Sequence, residues 1–145
     1  MPPLWSFIPV SAEDIVKNTY PDFKFIRHNG ELLTVDIYNK LHSQYIEFLM
    51  KELQERKGKR VIVSHHAPAL QCMADEFKGN RMNCAYYSDL EKLIKLYNPD
   101  YWIYRHSHRN TGSIQVGNTT LLCNQLGYIG KSEQLRFNRA SCFII

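Results

Sequence analysis

A chain of 145 residues, 44% hydrophobic and 22% charged, is sized for one globular domain and excludes a disordered or fibrous polymer. Its formal net charge of +4 suits contact with phosphorylated compounds and does not call for nucleic acid as a partner. No apolar stretch reaches the length of a membrane span, and MPPLWSFIPV has neither the basic region nor the apolar run of a signal peptide. Cys72, Cys84, Cys123 and Cys142 are far apart with no CxxC pair, so they read as reduced thiols of a cytoplasmic protein.

In chain order, Leu4 to Val10 is apolar, bounded by prolines, and predicts a short strand. Ser11 before Ala-Glu-Asp predicts an N-cap and a short helix. Asp22 to Arg27 alternates apolar with basic residues and predicts an extended piece, and Asn29-Gly30 a turn. From Thr34 the period changes: Tyr38, Leu41, Tyr45, Leu49 and Leu53 form one helical stripe, capped by Thr34 and closed by Arg56-Lys57-Gly58. The cations at 56–60 read as the basic end of that helix, with no interleaved aromatics to make a nucleic-acid surface.

Val61 to Ser64 predicts a strand that ends in His65-His66. Residues 67–87 show no periodicity, as in a lid or substrate wall. Ser88-Asp-Leu-Glu91 has the pattern of a capping box for a helix to about Tyr97, stopped by Asn98-Pro99. Tyr101 to Tyr104 predicts another strand, followed by His106 and His108. Alternate residues of an extended segment face one way, so these two imidazoles are expected on one side. Ile114-Gln-Val and Thr120-Leu-Leu-Cys flank Gly117-Asn118 as a hairpin, and Ser141 to Ile145 reads as a last strand. His28 and His42 stand alone and read as structural. The order of elements predicts a single α/β layered domain, residues 1–145, with a mixed sheet flanked by helices. Histidines delivered to loops by two strand ends are the raw material of a metal centre, because neutral imidazole is the commonest metal ligand.

VIVSHHAP at 61–68 followed by WIYRHSH at 102–108 resembles the later motifs of the calcineurin-like metallophosphoesterases. LWS at 4–6, Phe77-Lys-Gly-Asn, AYYSDLEKLI at 85–94 and NTTLLCNQLGY at 118–128 extend the resemblance over nearly the whole chain. It implies a fold like the C-terminal half of that family's β-sandwich. It also implies hydrolysis of a phosphomonoester or phosphodiester, with His65 and His106 on one metal of a pair and His108 on the other. His66, Arg105 and Asn124 would stand beside the metals or the phosphate, with Arg105 expected to crowd the site or mark divergence rather than to hold phosphate. Arg105 replaces the glycine usual before the histidine pair, and Asn124-Gln125 stands where Asn-Pro is more usual.

The family's Asp-x-His, Gly-Asp-x-x-Asp and Gly-Asn-His-Asp/Glu motifs, which supply carboxylates and a general acid, have no counterpart in the chain. The family binds two divalent ions (manganese, iron or zinc). The expectation for this chain alone is none or one, with impaired catalysis. The expected partners are a phosphorylated substrate and either a second copy or a complementing N-terminal half, and neither membrane nor nucleic acid. The alternative is a non-catalytic remnant of the fold that serves as an oligomerising module.

Overall fold

The structure, a computed structural model, describes residues 6–55 and 57–144. It is mixed α/β. Two short helices, α1 (Glu13–Thr19) and α2 (Asp22–Phe25), lead into a small hairpin of β1 (Arg27–His28) and β2 (Glu31–Leu32). The long helix α3 (Val35–Glu55) follows, then β3 (Val61–Val63), three 3-10 turns between residues 70 and 85, α4 (Glu91–Tyr97) and β4 (Tyr101–Ile103). The hairpin β5 (Ile114–Val116) and β6 (Thr119–Leu122) completes the sheet, whose order is β3-β4-β6-β5. β3 runs parallel to β4 and β4 parallel to β6, while β5 is antiparallel to β6.

α3 forms where the three-and-four stripe predicts it, with Tyr38, Tyr45, Leu49 and Leu53 buried along one face. The Thr34 hydroxyl accepts from the amide of Ile37 and caps its start. At ~1.5 Å per residue the helix is long enough to serve two hydrophobic clusters. Its C-terminal half packs Tyr45, Leu49 and Leu53 with Ile94 of α4 onto Ile62, Trp102 and Leu121 of the sheet. Its N-terminal half packs Val35 and Tyr38 against Val16, Tyr20 and Phe23 of the first two helices. Arg60 ties the ends of both long elements together, donating to the carbonyls of Leu53, Tyr97 and Asn98. The helix-terminal reading of the basic cluster therefore holds for Arg60, while Arg56 lies outside the described residues.

Three turns follow their sequence signals. Asn29 (φ 52) and Gly30 (φ 90) both take positive φ in the β1–β2 turn, and Gly117 (φ 59) opens the two-residue β5–β6 loop. Asn98 ends α4 in the left-handed conformation.

Four local expectations are corrected. Residues 6–9 form no strand, and residues 4 and 5 lie outside the described residues. Instead the Asn39 amide accepts from the amide of Ile8 and donates to its carbonyl, so a helix side chain takes the place of a strand neighbour. Asp22–Phe25 is a helical turn, because Pro21 presets the backbone and its carbonyl accepts from Lys24 and Phe25. Neither Ser11 nor Ser88 caps a helix: a 3-10 turn precedes α1, and the buried Ser88 hydroxyl finds no partner among the described residues. Residues 141–144 are irregular and pack by side chain, Phe143 against Tyr101, with Ile145 outside the described residues. The four cysteines are free.

Candidate metal centre

The parallel register aligns Val63 with Ile103, so the chain leaves the two strands at the same level and both loops turn over the same end of the sheet. Ser64 donates its amide to Ile103, and Arg105 donates its amide to the His65 carbonyl, which continues the pairing past the strand ends. The indole of fully buried Trp102 donates to the Ser64 hydroxyl, and that hydroxyl donates to the His66 carbonyl. A core residue thereby fixes the turn that carries the first two histidines.

His65, His66 and His106 converge. Each offers one ring nitrogen to a group whose donor atoms lie within 4.8 Å of one another. The ring centroids of His65 and His66 are each 4.4 Å from that of His106. Three imidazoles so placed can hold a metal ion. His66 is 1% exposed, and His65 and His106 are partly buried.

The surroundings keep two of these rings neutral. Burial, then the neighbouring histidines and Arg105, push the His106 pKa down to about 2. Burial, then Arg105 and His108, also lower that of His65. A neutral imidazole presents a lone pair without first losing a proton, which is the state a metal requires.

Tyr20 and Tyr38 of the N-terminal cluster, with Tyr86 from the segment before α4, close in on the rings. The Tyr20 hydroxyl is 2.5 Å from His106 Nε2, and that of Tyr38 is 3.4 Å from His66 Nε2 and 2.7 Å from Ser6 Oγ. The Tyr86 ring lies 5.1 Å from that of His106. Burial raises the pKa of Tyr20, Tyr38 and Tyr86, so all three stay as phenols. The helical stripe marks Tyr38 for burial, but no local pattern announces that Tyr20, Tyr38 and Tyr86, all in or against the N-terminal cluster, meet the histidines.

His108 lies outside the group of three. The expected alternation fails because His106 (φ 81) and His108 (φ 52) are both in the left-handed region, so the segment is not extended. Two such histidines, separated by one serine, are a costly conformation of the kind found at functional loops. His108 Nδ1 is 3.1 Å from Glu133, its ring packs edge-on to Tyr128, and its amide donates to Gln125. Glu133 also accepts from the Tyr128 amide and pairs with Arg109. Sequence reading missed Glu133, which follows the last strand in a segment without periodicity.

Arg105, His106, His108 and Asn124 line one cavity of about 600 Å³ beside the three histidines. Arg105 is exposed, and its φ is not positive, so no glycine is demanded at that position. Asn124 is held by the backbone of Asn138, donating to its carbonyl and accepting from its amide.

No family model matches the chain. An uncharacterized protein of Acanthamoeba polyphaga mimivirus is 29% identical over 150 residues, which cover 93% of this chain and 51% of that protein. The chain thus spans about half the length of the curated relative it matches. One solved structure is 25% identical over 60% of this chain and 32% of its own, at a TM-score of 0.41. No helix of the described residues is long and apolar enough to cross a membrane.

Proposed function

We propose that the chain carries the histidine part of a metal-dependent phosphoesterase centre and that His65, His66 and His106 hold one divalent ion. The convergence of these three rings at neighbouring ends of two parallel strands is the observation that carries the reading. Three nitrogen donors suit zinc or iron(II) better than manganese, which favours oxygen. A metal held on Nδ1 of His106 requires the tautomer whose Nε2–H donates to the Tyr20 hydroxyl, 2.5 Å away, so that the outer hydrogen bond orients the ligand ring.

An ion held there supplies Lewis acidity toward a phosphoryl oxygen and a water molecule. The protein's own share is positional. The rings are locked by Tyr20, Tyr38 and the Ser64 turn, and Arg105 places a permanent cation at the cavity beside them. Phosphoryl transfer depends chiefly on such positioning and charge.

The test is hydrolysis of p-nitrophenyl phosphate and its bis ester by the purified chain with added zinc, iron(II) or manganese. Turnover that disappears in His65→Ala and in His106→Ala supports the proposal. Turnover unchanged by both substitutions, or absent with every metal, contradicts it.

A further inference from the structure

The cavity beside the histidines has a chemical asymmetry. Its lining contains Arg105, His106 and His108 and no carboxylate. The nearest acid in the chain's C-terminal segment, Glu133, is turned onto the Tyr128 amide, His108 and Arg109. Among the described residues the Arg105 guanidinium makes no hydrogen bond or ion pair, so a planar fork of five donors faces solvent at the cavity. Such a group matches the oxygens of a phosphoryl dianion, which it can meet with two parallel bonds.

Val63, Leu126 and the Tyr128 ring add exposed apolar surface to the wall, at 64%, 46% and 58% accessible. The two amide side chains that also line the cavity are engaged elsewhere. Asn124 is bound to Asn138, and Gln125 donates to Ser107 and the Arg109 carbonyl while accepting from the His108 amide. A sugar or glycerol moiety seated on this exposed wall would keep its hydroxyls in water and cover little of the apolar surface. A flat hydrocarbon ring would lose nothing and cover the three apolar side chains.

We infer that this cavity takes the phosphoryl group of an ester on Arg105 and lays an apolar, ring-bearing alcohol portion along Val63, Leu126 and Tyr128, selecting aryl phosphates over polyol phosphates. The inference deepens the phosphoesterase reading and rests on it for the reaction class, but the binding preference belongs to the protein without metal.

The experiment is a titration of the ¹⁵N-labelled, EDTA-treated chain with phenyl phosphate, glycerol 1-phosphate and inorganic phosphate, read from the amide shifts at 105–108 and 126–128. Phenyl phosphate is expected to bind about tenfold or more tightly than either of the others, a ring's worth of apolar contact. Arg105→Gln, at an exposed position, is expected to weaken all three ligands about tenfold or more. Tyr128→Ala is expected to weaken phenyl phosphate alone. Equal binding of the two esters, or affinities untouched by Arg105→Gln, overturns the inference. Metal-dependent turnover without this discrimination would sink the inference and leave the phosphoesterase reading. Discrimination in a chain that takes up no metal would do the reverse.

Discussion

The Tyr20 hydroxyl meets Nε2 of His106 at 2.5 Å across 86 residues of chain, joining the helical N-terminal layer to the loop that follows β4. Tyr20 is almost wholly buried, so its hydroxyl has no water to fall back on. Tyr20→Phe leaves the His106 nitrogen without its partner, and the expected loss is ~1–3 kcal/mol of stability by urea denaturation. Because the same bond orients the ring toward the ion, zinc affinity is expected to drop about tenfold to a hundredfold. A variant as stable and as tight as the parent would show that this contact neither supports the fold nor orients the ligand.

Acid should unfold the protein through its histidines. The folded pKa of His106, about 2, lies below its ordinary value of 6.5, and that of His65 is also lowered. The unfolded chain therefore binds more protons as pH falls. Their contribution is fully present above about pH 6.5 and is lost as pH falls toward the folded pKa values, by up to ~1.4 kcal/mol per pH unit for His106, with His65 adding in the same direction. Urea midpoints measured from about pH 7.5 down to about pH 5 are expected to fall, and His106→Gln to flatten that slope by about one proton. A slope identical in the two proteins would contradict the account of His106.

Gly127 is held at φ +65 with Glu133 directly behind it: a Cβ there would lie 2.5 Å from Glu133 Cβ and 2.8 Å from its Oε2. Gly127→Ala carries the left-handed cost of about 1–2 kcal/mol and also displaces Glu133 from His108 and the Tyr128 amide. The expected outcome is a lower melting temperature with faster hydrogen exchange at the Tyr128 amide, while zinc affinity at the three histidines is kept. Undiminished protection of that amide would argue against the packing described.

β3 ends the sheet, and its outer side has no strand partner among the described residues. Unpaired strand edges are sites of chain–chain pairing. We propose that a second copy of the chain covers this edge, and light scattering of the purified chain is expected to give a mass above that of one chain. A strictly monomeric mass across the accessible concentration range would count against it.

Local signals and tertiary ones separate cleanly in this chain. The stripe of α3, the Asn29-Gly30 and Gly117-Asn118 turns and the stop at Asn98 each depend on residues within a few positions, and all were legible. The extended segment expected at Asp22–Arg27 held only at Ile26 and Arg27, because Pro21 favoured a helical turn over a weak alternation at Asp22–Phe25. The strand expected near residue 8 failed because Asn39, 31 positions away, answers its backbone. The meeting of His65 with His106 was readable from two strand ends, since parallel neighbours bring their tips together. The tyrosines around them were not, because Tyr20 and Tyr38 reach the histidines only after the N-terminal layer docks, and Tyr86 only once its carbonyl pairs with the Ala67 amide. The facing of His108 depended on an extended backbone that the positive φ angles of residues 106 and 108 remove.

The most direct measurement is a zinc titration of the EDTA-treated chain by calorimetry, paired with X-ray absorption of the loaded protein. One ion per chain, with three imidazole nitrogens in its coordination shell and no uptake after His106→Ala, is the predicted result. Absence of zinc binding, or binding that survives replacement of His65, His66 and His106 together, would contradict the metal centre and the function built on it.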